Sequence, residues 1–499
     1  MDREQALSEG RRSVNDRAAP AYLNLVGGAW RKSASGQVFA DINPADISDV
    51  VGSFQDSESA DAEAAVKAAA EAFGGWRRTP LSARARILER AAARLEEHEA
   101  RFGEEMTREQ GKPLALSRGE FRRAAATLRF YAAAGQSFGG EALPSDDARM
   151  EVSTRREPLG VVAVITPWNF PVSIPSRKIA PALIAGNTVV FKPASDAPLS
   201  GYRLTEALVE AELPPGVLNF VTGKASAIGP TITGSSLIRA ISFTGSTAAG
   251  RQIHRSAGFT TRLQMEMGGK NPLIVMDDAD LDQAADLAVK GGLSLSGQAC
   301  TGTSRIIVIE SVADEFTNRL LARVLRLHIG NGLAEDTKIG PIATEAQLRT
   351  VLEYVEIGKG EARLLCGGER LQGEAYERGY FVSPAIFTDV TPDMRIAREE
   401  VFGPLIAILT ARNYAEAIAI ANDSEYGLSG AIATRDAGLM HDFINDIECG
   451  TVKVNRPTTG NLINAPFGGF KNSSTSTYPE SGRAALEFYT RVKTVYRGC

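Results

Sequence analysis

A thiol, a carboxylate, a carboxamide and a glycine-rich turn are the groups in this sequence with chemistry to offer. Cys300 lies in SLSGQACTGTSR, between Gly297 and Gly302, after an apolar helical stretch and before the strand-like run RIIVIE. A packing thiol needs no small-residue surroundings, whereas a reactive one needs room, so Cys300 is the candidate nucleophile. Glu266 stands 34 residues earlier (300 minus 266), flanked by Met265, Met267, Gly268 and Gly269. Lost hydration there would raise its pKa toward that of a useful base. Asn169, in ITPWNFP, is expected at the carboxyl end of a strand, its amide free either to donate to a substrate or to cap the next helix. Lys192 and Ser195 end the following strand in FKPASD. Gly245 and Ser246 open SFTGSTAAGRQI, a strand-to-helix turn whose N–H groups attract phosphate oxygens, although it is not the GxGxxG fingerprint. Together these groups describe acyl chemistry beside a nucleotide.

Such a set needs strands that end at one place. From about residue 160, LGVVAVI, NTVVFKPA, GVLNFVTG and LIRAISFTG read as buried strands, alternating with the helical IAPALIAG, GYRLTEALVEAEL and TAAGRQIHRSAG. That alternation predicts βαβ units and a parallel sheet with ligands at the carboxyl ends of its strands. A second alternating series runs from NPLIVMDDADLDQAADLAVKGGL through RIIVIE, VADEFTNRLLARVLRL, IAILT and GAIAT, giving a second α/β domain with the seam near TRLQMEMGGKNP. Two helices are expected between residues 60 and 110. Residues 134–152 are polar and turn-rich, and the tail ALEFYTRVKTVYRGC alternates as an edge strand does, an edge that a second subunit could cover.

The chain of 499 residues carries 55 basic and 60 acidic side chains, a net charge of -5, and no basic block, which argues against nucleic acid or a membrane surface as partner. Cys300, Cys366, Cys449 and Cys499 lack CxxC spacing and read as free thiols of a reducing compartment. The histidines, His98, His254, His328 and His441, are dispersed, so no metal site is expected. Residues 1–20 are charged and read as a mobile extension rather than a signal peptide. The apolar run LGVVAVI falls short of the roughly 20 residues of a membrane helix. A cytoplasmic protein acting on a small molecule is the expectation.

The stretches TPWNFP, FTGST, EMGGKNP, GQACT, EEVFGP and PFGGFK, in this order and spacing, resemble the NAD(P)-dependent aldehyde dehydrogenase superfamily from about Tyr22 to Tyr496. The resemblance implies a Rossmann-like parallel-sheet nucleotide domain (21–133 and 153–263), an α/β catalytic domain (264–475), and a small β arm (134–152 and 476–499) that builds a homodimer or homotetramer. It implies that Cys300 attacks the aldehyde, that the Asn169 amide and the Cys300 N–H hold the oxyanion, and that Glu266 activates the water that hydrolyses the thioester. Thr166, Pro167, Trp168 and Gly268 would join Gly245 and Ser246 in the cofactor site. Glu400 would bond the nicotinamide ribose, Phe402 would lie near the nicotinamide ring, and Lys192 and Ser195 would face the adenine ribose. Relatives that prefer NAD often carry a Glu at the position of Ser195, and a hydroxyl repels no 2′-phosphate. NADP or NAD is therefore the expected cofactor.

For the substrate, the resemblance places Arg177, with Phe170 and Ser294, along the aldehyde entrance. Succinate-semialdehyde dehydrogenases have an Arg before the Lys of this helix, where it binds a distal carboxylate. The phrases YLNLVGGAW, INPADISDVVG and FGGFKNSSTST resemble α-ketoglutaric semialdehyde (2,5-dioxovalerate) dehydrogenases. A carboxylate-bearing semialdehyde is thus the expected substrate, with succinate semialdehyde or a broad range of aldehydes as alternatives. A non-catalytic nucleotide-binding homologue is the alternative of another class, although it would be expected to have lost the Cys, Glu or Asn. One departure stands out: both semialdehyde groups commonly have an Arg six residues before the nucleophile, and here that residue is Ser294. Arg177, with Arg122 or Arg123, must then do more to hold the carboxylate.

Overall fold

The computed structural model describes residues 19–498; the extension expected over residues 1–20 lies, up to residue 18, outside them. Five parallel strands form the heart of the first sheet, in the order Arg262–Glu266, Ile238–Thr244, Val161–Ile165, Thr188–Lys192 and Leu218–Phe220. The hairpin Asn24–Val26 and Ala29–Arg31 closes it antiparallel. Val162, Val164, Val189 and Phe191 point into a core with the helices Leu81–Glu97, Leu114–Ala134 and Ser173–Ile184. Val161, Ala163, Val190 and Ile241 point the other way, against the helix Ser59–Trp76. Burial on both faces is why these strands read as unbroken apolar runs.

The second sheet has the order Arg363–Cys366, Ala385–Thr388, Leu405–Ala411, Thr303–Ile309, Asn271–Val275, Ser429–Ala433 and Thr451–Val454, with only Arg363–Cys366 antiparallel. A third, small sheet pairs Thr490–Gly498 with Met150–Pro158 in antiparallel register, from Thr490 opposite Pro158 to Gly498 opposite Met150, and adds Ala142–Leu143.

Three details depart from the sequence expectation. Residues 60–110 form three helices rather than two, because His98 ends Leu81–Glu97 outside helical geometry and Glu99–Gln110 starts afresh. The strand Arg262–Glu266 pairs in parallel with Ile238–Thr244, so the nucleotide sheet runs through Glu266 and past the boundary expected at 263. The small sheet reaches Pro158, beyond residue 152, whereas the helix Gly482–Phe488 is buried against Ser173–Ile184 and belongs to the first core.

Candidate active site

The helix Ser173–Ile184 is buried along its whole length, including Arg177 and Lys178. Buried cations need partners, and one carboxylate serves both. Glu480 lies 3.1 Å from Lys178 Nζ and 3.8 Å from Arg177 Nη1. Burial alone would raise the Glu480 pKa, but Lys178 and Arg177 outweigh it and hold the carboxyl below its usual range. A backbone bridge with Phe467 fixes Glu480 in place (Phe467 N to Glu480 O, 2.6 Å). The Arg177 guanidinium stands over the Phe467 ring, 5.6 Å from its centroid.

Cys300 sits at the floor of a cavity of about 330 Å³ that Arg177, Phe170, Arg123 and Ser294 also line. The loop leading to it holds three successive residues in left-handed geometry, Leu295 (φ 56°), Ser296 (φ 54°) and Gly297 (φ 70°). Non-glycine residues there store strain that the surroundings must offset. Ser296 Oγ donates to Gly340 O (2.8 Å), and Gln298 Oε1 accepts the Ala343 N–H (2.9 Å). A Cβ on Gly297 would lie 2.1 Å from Gly403 O. The glycine therefore lets the EEVFGP backbone close on the Cys300 loop, a use of that small residue other than the expected room for substrate. Asn271 Nδ2 ties the far side by donating to the carbonyls of Cys300 (2.8 Å) and Gly302 (2.9 Å).

Asn169 Nδ2 donates to Gln298 O at 2.9 Å, so its amide is oriented by the Cys300 loop rather than free, with one N–H left over. Neither does Asn169 cap the next helix: Glu120 Oε1 accepts the N–H groups of Val172 (3.1 Å) and Ser173 (2.9 Å) instead. Lys112 Nζ bonds both Glu120 Oε2 (2.6 Å) and Asn169 O (2.8 Å). Sequence reading passed over Lys112 and Glu120, yet a charged residue on the buried face of Leu114–Ala134, beside Ser117, Phe121 and Ala124, was a signal.

Glu266 ends the edge strand of the first sheet, 2% exposed, with neither carboxylate oxygen hydrogen-bonded among the described residues. Burial raises its pKa well above the ordinary carboxyl value and Glu480 adds to this, against the pull of Lys178 and Arg177. Ser294 is half-buried and its hydroxyl donates to Lys290 O. Arg122 pairs on the surface with Glu99 (2.5 Å), so of the two helper arginines only Arg123 reaches the cavity.

At the carboxyl ends of the first sheet, Thr166, Pro167 and Trp168 leave the strand Val161–Ile165, and the hydroxyls of Thr166 and Thr244 are buried without partners among the described residues. Ser246 caps the helix Thr247–Ser256, accepting the Ala249 N–H, and Gly245 precedes it. Lys192 Nζ donates to Pro193 O and Ser195 Oγ to Gly223 O. Glu400 Oε1 accepts the Gly269 N–H at 2.9 Å, and a Cβ on Gly268 would meet Glu400 Oε2 at 2.1 Å. Burial pushes Glu400 up to about 7. Phe402 (φ 55°) meets Trp168 edge to face, centroids 5.4 Å apart. Orphaned hydroxyls and a helix N-terminus at the ends of these strands, with the half-buried Glu400 carboxylate held at Gly269, fit a dinucleotide.

The model of the aldehyde dehydrogenase family matches residues 30–495. This chain belongs to that family. An α-ketoglutaric semialdehyde dehydrogenase of Bacillus subtilis is 45% identical over 477 residues, covering 95% of this chain and 98% of the relative. A 2,5-dioxopentanoate dehydrogenase of Saccharolobus solfataricus is 45% identical over 473 residues, covering 94% and 98%. Among solved structures, betaine aldehyde dehydrogenase of Staphylococcus aureus in complex with NAD+ superposes with a TM-score of 0.93 at 34% identity, covering 95% of this chain and 94% of that one. A 3,6-anhydro-L-galactose dehydrogenase gives 0.92 at 34%, covering 95% and 99%. The enzyme is an NAD(P)-dependent aldehyde oxidoreductase, and no helix among its described residues is long and apolar enough to cross a membrane.

In this aldehyde dehydrogenase burial pushes the Cys300 thiol up to about 12, with Arg177 opposing the shift and Glu400, Glu266 and Glu480 adding to it. Below the pKa the thiolate fraction grows about tenfold per pH unit. Iodoacetamide modification of the cofactor-free enzyme, read on the peptide that contains Cys300, should therefore accelerate about tenfold per unit from pH 7 to pH 10. A plateau reached below about pH 9 would contradict this.

Proposed function

We propose that the enzyme oxidises 2,5-dioxopentanoate (α-ketoglutaric semialdehyde) to 2-oxoglutarate and accepts NADP+ as well as NAD+. The observation that carries this reading is the buried Arg177 in the cavity of Cys300, in a chain 45% identical to dehydrogenases named for that substrate. Cys300 Sγ bonds the aldehyde carbon and gives its proton to solvent. The oxyanion lies between the remaining Asn169 N–H and the Cys300 N–H, donors typically worth ~3 to 4 kcal/mol each. When bound, the nicotinamide would supply the one redox step by accepting the hydride of that carbon, and Cys300 Sγ would hold the resulting acyl group as a thioester. Glu266 then takes a proton from water as the water oxygen bonds the acyl carbon; the C–S bond breaks, the sulfur leaves as thiolate and receives the proton that Glu266 holds, and the acid is released with Cys300 and Glu266 restored.

Glu400 would hold the nicotinamide ribose, the N–H groups after Gly245 and Ser246 the phosphates, and Lys192 and Ser195 the adenine ribose. Trp168 and Phe402 would flank the nicotinamide, and Thr166, Pro167 and Gly268 the path between. Burial brings Lys192 down to about 8, with Asp196 opposing, so the ammonium is largely charged at pH 7 and suits a 2′-phosphate. The unpaired outer edge of Thr490–Gly498, with Val492 and Tyr496 exposed, supports a homodimer or homotetramer built through this arm. Free thiols at Cys300, Cys366 and Cys449 support a reducing, cytoplasmic setting.

A panel of 2,5-dioxopentanoate, succinate semialdehyde and propanal, assayed at 340 nm with both cofactors, tests the reading. We expect kcat/KM for 2,5-dioxopentanoate to exceed that for propanal by about a hundredfold, or ~2.7 kcal/mol, and Arg177→Leu to erase most of that gap. Equal losses on acidic and neutral aldehydes would overturn the role of Arg177. A preference for NAD+ over NADP+ above about a hundredfold would overturn the cofactor reading.

A further inference from the structure

The Cys300 cavity contains more hydrogen-bonding capacity and more positive charge than its own residues use. Ser173 is 4% exposed and lines the cavity. Its N–H bonds Glu120 and its carbonyl accepts from Ser176 Oγ, but its own hydroxyl is buried with no partner among the described residues. Arg177, one helical turn further on and 9% exposed, likewise has a buried Nε without a partner. Side chains on a helix lean toward its N-terminus, so Arg177 leans back over the turn that carries Ser173. Arg123 enters from the helix Leu114–Ala134, where an Nη2 bond to Asn461 O fixes its guanidinium, and no carboxylate lies within 4.0 Å of it among the described residues.

The charges show what is missing. Lys112 is matched by Glu120, while Lys178 and Arg177 share Glu480, which leaves Arg123 without an ion pair among the described residues, with only the more distant charge of Glu120 opposite it, and Arg177 with one long contact. Guanidinium groups that line the cavity without close carboxylate partners, Arg177 buried and Arg123 half-buried, favour an anionic ligand, and guanidinium forks favour a planar carboxylate. An unpaired buried hydroxyl beside that carboxylate favours one more acceptor on the neighbouring carbon.

We propose that Ser173 and Arg123 join Arg177 in a seat for a 2-oxo carboxylate, the two guanidinium groups holding the carboxylate and the Ser173 hydroxyl donating to the keto oxygen. This rests on the reading above that an acidic aldehyde enters this cavity, and it goes further in assigning recognition of the keto group to one residue. An acid of equal length without the keto group leaves the Ser173 hydroxyl unpaired, which is how a site built to hydrogen-bond an oxygen rejects the analogue that lacks it.

The test compares 2,5-dioxopentanoate with 5-oxopentanoate, which has the same five carbons and no keto group, and with propanal. The wild-type enzyme should prefer the keto acid over 5-oxopentanoate at least tenfold in kcat/KM. Ser173→Ala should reduce that ratio about tenfold, mainly through KM, and Ser173→Thr should restore part of it. Arg123→Met should instead reduce the preference of both acids over propanal by tenfold or more. An unchanged keto-acid ratio in Ser173→Ala overturns the keto assignment while the acidic-aldehyde reading stands. A wild-type enzyme as active on propanal as on both acids overturns that reading itself. Normal acid preference in Arg123→Met removes Arg123 from the seat. Thermal melting of each variant identifies any loss that comes from unfolding.

Discussion

Replacing Cys300 by Ser should reduce aldehyde-dependent NAD(P)H formation by about 10⁴-fold or more, because the proposed route has no step that avoids a covalent bond to Sγ. The serine hydroxyl is nearly the same size but far less acidic, and the cavity has no imidazole to take its proton; His98, His254, His328 and His441 do not line it. The Cys300 loop is held by Gln298, Ser296 and Asn271 rather than by the thiol, so the variant should fold and keep its affinity for the dinucleotide. Activity within about a hundredfold of wild type would remove Cys300 from the reaction. Mass spectrometry of wild-type enzyme quenched during turnover should show an acyl adduct on the peptide spanning this residue.

Glu266→Gln should separate the two halves of the reaction. The first turnover needs the sulfur and the cofactor, so rapid mixing should still release close to one NAD(P)H per site, while the steady-state rate falls by roughly 10²- to 10⁴-fold as the thioester accumulates. The pH dependence has a definite sign. Burial raises the Glu266 pKa well above the usual carboxyl value, and a carboxyl can accept a proton only when ionised, so kcat should climb as pH rises through that raised pKa. The climb should vanish in Glu266→Gln. Survival of both the limb and the steady-state rate would assign hydrolysis to another base.

The features legible in the sequence were those that depend on near neighbours. Val161–Ile165 and Thr188–Lys192 announced themselves because both faces are covered and every position except Thr188 and Lys192, at the ends of the second strand, is apolar. The helix boundary at His98 was missed because Ala- and Glu-rich sequence continues across it, and only packing turns the chain there. The motifs containing Cys300, Glu266 and Asn169 could be picked out, but what fixes them could not. Gln298 with Ala343, Glu480 with Lys178 and Gly297 with the Gly403 carbonyl are contacts between residues 45, 302 and 106 positions apart (343 minus 298, 480 minus 178, 403 minus 297). Nothing local encodes such pairs. The departure at Ser294 could be seen from sequence, and so could Arg122 or Arg123 as its compensation, whereas the choice of Arg123 over Arg122 needed the fold.

Glu480, the carboxylate shared by Arg177 and Lys178, stands only ten positions before Thr490, where the outermost strand begins (490 minus 480). An affinity tag, a fluorescent fusion or a surface tether attached at the C-terminal end would pull first on the nine-residue pairing of that strand with Met150–Pro158 and then on the buried helix Gly482–Phe488, and both hold the anion's stretch in place.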